Sequence, residues 1–523
     1  MPGTARVNFN ITNLTFSIAA LLKGISFVEG ITLRGPSSDP KDIITSWDQF
    51  EKLFGGLIPS SDFPLLCKRA LERGAQLRVN RVVHYTDVSD SATTTAVKAT
   101  TTAFSNSTPT ALFSLTLKYA GADYNNIRAA IEAASNGNSL YFNLRIYHIN
   151  DSSLTETYQN LKAPLVAAAG PTIANSHYLD AVIKGSQLVD VTYNDLSGIA
   201  TALLLRPANV VKTYASGSDG GTVVAVDYVG DSAGGTGFYA FNPYADAMQI
   251  CAPEMSDNDI HVGGSAYAAA RTDLQYFAHL ANTNTSATGY ITDRDTTAID
   301  SKYTAFFGGG VKVLDQTTGV SKSISELGDV LGICAYSDRT AHEWFSFAGI
   351  NRGFIPNCLG VVNNFGTPAL QDDLELLAQH QINMVVQMDG RIYLSGNFSG
   401  QLTNDAMSWN NAVRLIIYQQ KSLGPALRAF LEEPGDIQTF KAIYRGVEPF
   451  LDMLVRERAL FSYSWQGDQF ASKLSDVTVN NLTDLGNGKY KARLFEKIIP
   501  SLNEITVDIV VTPLSVNFNV VQA

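Results

Sequence analysis

His342 and Glu343 stand side by side like the first half of a zinc-protease helix, in which a second histidine four positions after the first completes the metal pair and the glutamate acts as base. Position 346 holds Ser346, so that ligand pair does not form. The other histidines, His84, His148, His177, His261, His279 and His380, lie far apart in sequence. Only a composite site assembled in space could use them, and a satisfied structural role is the competing expectation for each. Asp372, Asp373 and Glu375 could ligate a hard metal, but in the first turn of an expected helix from Leu370 to His380 they complement the helix dipole. Gly308-Gly309-Gly310 follows Phe306-Phe307 without the spacing of a dinucleotide loop. Neither a GxSxG nucleophile elbow nor a GxxxxGK[ST] phosphate loop occurs. Cys67, Cys251, Cys334 and Cys358 are scattered and make no CxxC or Cys/His spacing, which suits reduced packing residues better than metal ligands. The residues with reactive side chains therefore point to no enzyme, no catalytic residue, no metal site and no cofactor.

The 523 residues exceed what one hydrophobic core organises, so three or four domains are expected. Hydrophobic residues make up 45% and charged residues only 17%, a folded composition with little surface charge. A surface covered by neighbours needs fewer charges for solubility, which favours a large assembly. The formal net charge of −11 and the lack of any Lys/Arg run argue against nucleic-acid binding, which needs concentrated cations to displace counterions. The N-terminal stretch Phe16 to Leu22 is too short for a signal-peptide core, and no apolar run approaches the roughly 20 residues that span a bilayer. Cytosolic synthesis without membrane insertion is the expectation.

The elements that would have to position any site begin and end in alternation. Val7, Phe9 and Ile11 alternate with polar residues, as do Ile505, Val507, Ile509 and Val511 and then, beyond Pro513, Leu514, Val516, Phe518 and Val520. This is strand periodicity. A strand at a chain end cannot satisfy its own backbone, so these must add to a sheet in their own domain or in another subunit. Between them, helices are expected at Ser46 to Phe54 and Phe63 to Arg73, and a strand from Leu77 to Val83, an α/β alternation. From Thr86 the composition turns to Ser, Thr and Ala, with strands at Leu112 to Tyr119, Leu140 to Tyr147 and Leu188 to Thr192. This reads as an inserted β-rich domain closing near residue 200. Helical segments are expected around Pro243 to Ile250 and Ala266 to Leu280.

The clearest helix runs from Asp436 to Leu460, with Ile437, Phe440, Tyr444, Val447, Leu451 and Leu454 recurring at three and four residues. Lys441, Arg445, Glu448, Asp452 and Arg456 occupy the other side. Pro449 predicts a kink or break near Gly446. The charged stripe is either a solvated face or a contact surface for another protein.

In order along the chain, Gly35-Pro36 with Pro40, Ile44-Thr45-Ser46-Trp47, Phe50, Phe54-Gly55 and Leu77 to His84 resemble landmarks of the tail sheath proteins of contractile-tailed bacteriophages. Ala120-Gly121-Ala122-Asp123-Tyr124-Asn125-Asn126 is similar to that family's Pro-Gly-x-Trp-Gly-Asn segment, without its Pro, Trp and second Gly. Asp227-Tyr228-Val229-Gly230, Ser301 to Ala305, Gly332-Ile333-Cys334-Ala335 with Asp338, and Phe347-Ala348-Gly349 with Arg352-Gly353 follow. Gln381-Ile382-Asn383 and Trp409-Asn410 with Arg414-Leu415 complete the series, and the colinearity carries more weight than any single match.

The resemblance implies an α+β / α/β multidomain fold: an inner α/β domain carrying both terminal strands, a middle α/β domain and an inserted β-rich outer domain. The corresponding limits are an N-terminal arm at 1–20, a middle domain at 21–85 and 202–329, the insertion at 86–201, an inner C-terminal domain at 330–504 and a C-terminal strand and arm at 505–523. It further implies a structural subunit that polymerises as stacked hexameric rings around a tail tube, contracts, and drives the tube through the host envelope. Its partners would be itself, the tail tube protein, and the baseplate and tail terminator proteins, in a virion assembled in the host cytoplasm. The arms would exchange strands between subunits, and Lys441, Arg445, Arg456 and Arg458 would supply part of a tube-facing surface. The rival readings are the sheath of a related contractile injection particle, an enzyme with a composite site, and an adhesin suggested by the Thr/Ser-rich insertion.

Overall fold

The computed structural model describes residues 24–162, 177–194, 206–315, 318–466, 479–480 and 482–501. Val7, Phe9, Ile11, Leu514, Val516, Phe518 and Val520 lie outside them. The described chain opens with β1 (Ile25–Gly30), β2 (Ile43–Ile44), α1 (Trp47–Phe54), α2 (Phe63–Glu72) and β3 (Gln76–Arg81). Ser46 starts α1 because its extended backbone lets its side chain accept from the Gln49 amide, and Phe50 and Phe54 then fall on one buried face. Gly74 stops α2 region by taking a φ of 89°, a left-handed value that suits glycine.

The inserted strands are β4 (Phe104–Ser105), β5 (Ala111–Leu117), β6 (Ile127–Ala133), β7 (Phe142–His148), β8 (Thr155–Leu161), then α3 (Leu179–Ile183), β9 (Val189–Tyr193) and β10 (Val210–Thr213). They form two antiparallel sheets, β10-β6-β7-β8 and β4-β5-β9, around a core that includes Phe104, Phe113, Ile131, Phe142 and Tyr214. Alternate residues point into this core, which is why β7 reads apolar-polar along its length.

The chain then returns to the body through α4 (Ala225–Val229), β11 (Gln249–Cys251), α5 (Asn258–Arg271), β12 (Gln275–His279), α6 (Ala287–Thr296) and β13 (Thr304–Gly308). A small sheet of β14 (Val311–Leu314), β15 (Ser321–Ile324) and β16 (Gly360–Val361) brackets α7 (Leu327–Thr340), followed by α8 (Gln371–Gln379), β17 (Ile382–Met388) and β18 (Arg391–Ser395). Eight strands join in the order β18-β17-β13-β12-β11-β1-β3-β2, parallel from β3 to β17 and antiparallel at each edge. Helices cover both faces, so β12 and β13 are buried throughout. Finally α9 (Asn410–Leu427) and α10 (Ile437–Arg456) pack with a two-stranded antiparallel sheet of β19 (Leu460–Gln466) and β20 (Arg493–Ile498), with α11 (Leu482–Gly486) between those strands.

Strand pairing crosses two of the expected limits. β10 lies beyond residue 201 yet pairs with β6, and the bridges Thr100–Ala215 and Val97–Ser218 carry the insertion's closure further. Residue 330 falls inside α7, and β17 and β18 share one sheet with β1, so the eight-stranded body continues to Ser395. Pairing between strands some 80 residues apart leaves no local trace in composition. The expected helix at Pro243 to Ile250 is instead a turn running into β11. The segment Ala266 to Leu280 divides: α5 ends at Arg271, Thr272 turns left-handed at φ 61°, and β12 follows. α10 runs unbroken through Pro449, and Leu460, expected to be its last residue, begins β19.

Candidate assembly interface

The landmark residues of the sequence turn out to face one another at the seams between parts. Arg34, 1% exposed, enters the insertion and donates to Asp123 at 2.9 Å and Asp151 at 2.5 Å, while also bonding the Glu51 carbonyl. His148 holds the other oxygen of Asp123 at 3.2 Å, and Tyr124 accepts from the Gly35 amide. Burial pushes the Asp151 carboxyl up, but hydrogen bonds from Ser153 and Arg34 outweigh it and hold the group below its usual range. Arg81 makes a second clamp, to the Ala120 carbonyl and to Asp219 at 2.8 Å. Asp227 accepts from the Tyr85 and Val224 amides and pairs with His84 at 3.0 Å, tying the exit of the insertion to its entrance.

A second seam joins the C-terminal unit to the body. Arg414 on α9 is fully buried and donates to Asp338 of α7 at 2.6 Å, to Gln249 of β11 at 3.0 Å and to the Glu343 carbonyl. Burial opposes its charge, and the neighbouring Asp338 carboxylate overcomes that cost and raises its pKa. Lys421 adds a bond to Asp273 at 2.7 Å. The Asn383 amide donates to the Phe306 and Phe398 carbonyls, fixing the chain that leads from β18 towards α9.

The histidines and cysteines occupy structural positions. His261 bonds Tyr276 and the His279 carbonyl, and burial depresses it to about 4; His279 pairs with Glu326 at 2.9 Å. His342 stacks on Trp344 at 4.5 Å and lies 3.6 Å from Glu457, and His380 lies 3.9 Å from Asp295. All four cysteines are free thiols. No group of three His, Cys, Asp or Glu suited to a metal occurs among the described residues. Asp372 and Asp373 do sit in the first turn of α8.

The sheet order reverses between β1 and β11, the point at which doubly wound sheets hold ligands beside a helix N-terminus. Here the Glu254 carboxylate, just after β11, takes that position: it accepts from Ser61 Oγ at 2.5 Å and from the Asp62 and Phe63 amides at the start of α2. The anion position of the crevice is filled from within the chain. Sequence reading missed Glu254, and no motif marks it.

The β19–β20 sheet differs from these closed seams. Its inner face, with Leu460, Tyr463, Trp465, Leu494 and Ile498, packs on α10 and Tyr418. Its outer face presents Phe461, 74% exposed beside a bulge, and Phe495, 52% exposed. Among the described residues the sheet has two strands, and neither outer edge pairs with a third. Along α10, Lys441, Arg445 and Arg456 are exposed. The acids of the stripe are engaged at home, Glu448 by Tyr444 and Asp452 by Tyr463. Arg456 bonds Glu457, whereas Arg458 lies past the helix end, left-handed at φ 63°, with its guanidinium 5.9 Å from the Phe345 ring centroid. The four cations therefore do not form one stripe.

The mixed α/β multidomain fold matches solved sheath protein structures. It superposes on the sheath tail protein of Listeria innocua with a TM-score of 0.58, covering 92% of this chain and 96% of that one at 13% identity. On the contracted helical sheath of the anti-feeding prophage the TM-score is 0.55, covering 97% and 98% at 11% identity. In sequence, the chain is 26% identical over 192 residues to the tail sheath protein of Vibrio phage KVP40, and 24% identical over 242 residues to that of Enterobacteria phage T4. These matches cover 36% and 46% of this chain and 27% and 35% of the relatives, so the chain spans about a third of the length of the curated relatives it matches. No family model matches the chain. The resemblance to tail sheath proteins read from the landmarks is borne out.

Proposed function

We propose that the chain is the structural subunit of a contractile tail sheath, polymerising as helically stacked hexameric rings around a tail tube and contracting to drive the tube through a host envelope. The observation that carries this reading is the β19–β20 sheet, which has no third strand among the described residues, set beside the alternating segments at both ends of the sequence. Strands with Val7, Phe9 and Ile11 on one side, or Leu514, Val516, Phe518 and Val520, suit addition to such an edge by main-chain pairing. Strand exchange of this kind would hold subunits together while weaker polar contacts to the tube are surrendered. Assembly would then trap an extended state of higher free energy, and release at the baseplate would let rotation spread from ring to ring. Place in the virion, assembly in the host cytoplasm, and the tube, baseplate and terminator proteins as partners belong to the same reading. The work is done by geometry and needs no cofactor.

The similarity to the anti-feeding prophage sheath supports a second reading, the sheath of a related contractile injection particle. Electron microscopy of the purified protein tests both: tubes or stacked rings are expected, and monodisperse monomers at all concentrations would remove the sheath assignment. Co-expression with a phage tail tube or an injection-particle tube separates the two readings.

A further inference from the structure

Between the C-terminal unit and the edge of the large sheet lies a cavity of about 610 Å³, walled by Phe345, Arg352, Tyr393, Asn411 and Arg458. The Arg352 and Arg458 guanidinium groups both lie over the Phe345 ring, 5.4 and 5.9 Å from its centroid. Arg352 spends one donor on the Ser346 carbonyl. Among the described residues neither arginine has a carboxylate within salt-bridge distance, although Arg34, Arg81 and Arg414 at the seams are each paired with one. Burial without a counter-charge lowers the Arg352 pKa. Two like charges converging on one ring in a concave site call for an anion with planar, bidentate geometry, which a carboxylate supplies.

A matching knob stands at the far end of α10. Residues 431 to 438 are exposed without interruption, and Leu431 is 68% exposed. Glu432 takes φ 67°, and Asp436 is used in capping α10 through the Gln438 and Thr439 amides. The Glu433 amide donates to the Phe430 carbonyl, but the side-chain carboxylates of Glu432 and Glu433 have no hydrogen-bond or ion-pair partner among the described residues. The twenty residues of α10 separate this tip from Arg458 by about 30 Å, since a helix rises about 1.5 Å per residue, so one chain cannot dock its tip in its own cavity.

We infer that the cavity bounded by Phe345, Arg352 and Arg458 is a carboxylate socket whose occupant is the Glu432–Glu433 tip of a second copy of this chain. The inference rests on the sheath reading and adds to it a contact distinct from strand exchange. Because knob and socket are different surfaces, the contact is head-to-tail and propagates into rings or helices instead of closing as a pair.

Charge reversal in the full-length chain tests it, with polymer followed by sedimentation and electron microscopy and folding by circular dichroism. Arg458→Glu alone, and Glu432→Lys with Glu433→Lys, are each expected to raise the concentration at which polymer appears by about tenfold, with melting unchanged. Combining all three reversals should restore the wild-type threshold to within about threefold, as expected for coupled partners. An unchanged threshold in either reversal, or reversals that add without rescue, would overturn the socket. So would an Arg458→Glu protein that polymerises normally alone but fails only on tubes, which would give the cavity to the tube. A wild-type protein that never polymerises would instead remove the sheath reading beneath it.

Discussion

Arg34 and Phe461 mark two opposite ways of attaching a part to this molecule. At the insertion, among the described residues, the guanidinium groups that cross the seam find counter-charges inside the same chain, Arg34 with Asp123 and Asp151 and Arg81 with Asp219, and the His84 ring bonds Asp227. At the β19–β20 sheet, the inner face is packed, but aromatic side chains and backbone edges are left without partners among the described residues. A seam built from buried guanidinium pairs is costly to open, because separating it strands charge in low dielectric. A two-stranded sheet, in contrast, gains by accepting another strand. The first region is closed by contacts within the chain, and under the proposed function the second would be completed on assembly.

The largest expected effect breaks the open side of this comparison. Deleting Pro513 to Ala523 should leave the melting of the body unchanged while ordered polymer disappears from electron micrographs, and deleting Met1 to Asn13 should act similarly. Unaltered tubes from either truncated protein would show that these segments are not the strands that complete the sheet.

The closed side should break differently. Arg34→Ala would leave Asp123 and Asp151 facing each other in a partly buried seam, so a loss of about 3–5 kcal/mol of stability is expected, as for removal of one partner from a buried pair. Thermal melting checks this; a shift of a degree or less would mean that the clamp is not holding the insertion. The same clamps govern excision. Replacing residues 86 to 201 by a Gly/Ser linker removes β6 from β10, whereas cutting from 86 to 221 removes both, and only the second is expected to give soluble protein. Even then Arg34 and Arg81 lose their partners and need neutral replacements.

Within the body, Glu254 offers a smaller test of a finished seam. Glu254→Ala removes the acceptor of the Asp62 and Phe63 amides at the start of α2, and about 1–2 kcal/mol of stability should go with it, as for loss of a helix cap. Equal melting of the variant and the parent would show that water serves these amides as well.

How much of this contrast the sequence reveals depends on the range of the contacts. α1 is legible because its signals are local: Ser46 as cap, then Phe50 and Phe54 one turn apart. α10 is legible for the same reason, with Phe440, Ile443, Val447, Leu451 and Leu454 on its buried face. The pairing of Asp338 with Arg414 is not, because each lies on its own helix, 76 positions from the other, although the colinear landmarks include both. The same limit hides β10, whose partner β6 is some 80 positions upstream, and lets the turn from Pro243 into β11 pass for helix. Arg458 shows the limit at one residue: its type and position suggested a helical stripe, but a left-handed backbone beyond the helix end takes it to Phe345 instead.

The smallest expected effect on stability belongs to Lys441 and Arg445, and it sharpens what the open region is for. Both are exposed on α10, and neither has an ion-pair partner among the described residues, so reversing them breaks no ion pair described in the folded chain. Exposed charge pairs contribute about 0–1 kcal/mol each, which leaves melting within experimental scatter. A tube-facing stripe repeated around every ring would nevertheless multiply that small term by the number of subunits. Lys441→Glu with Arg445→Glu should then weaken assembly on tubes, or divert the product to empty contracted sheath, while assembly without tubes proceeds as before. Equal assembly of variant and parent on tubes, at low and at moderate salt, would return these two residues to the solvated face that their exposure equally allows. Because Arg458 lies at the opposite end of the helix, its reversal should not reproduce this phenotype: it should impair polymer formed without tubes, where the Lys441 and Arg445 variant is normal.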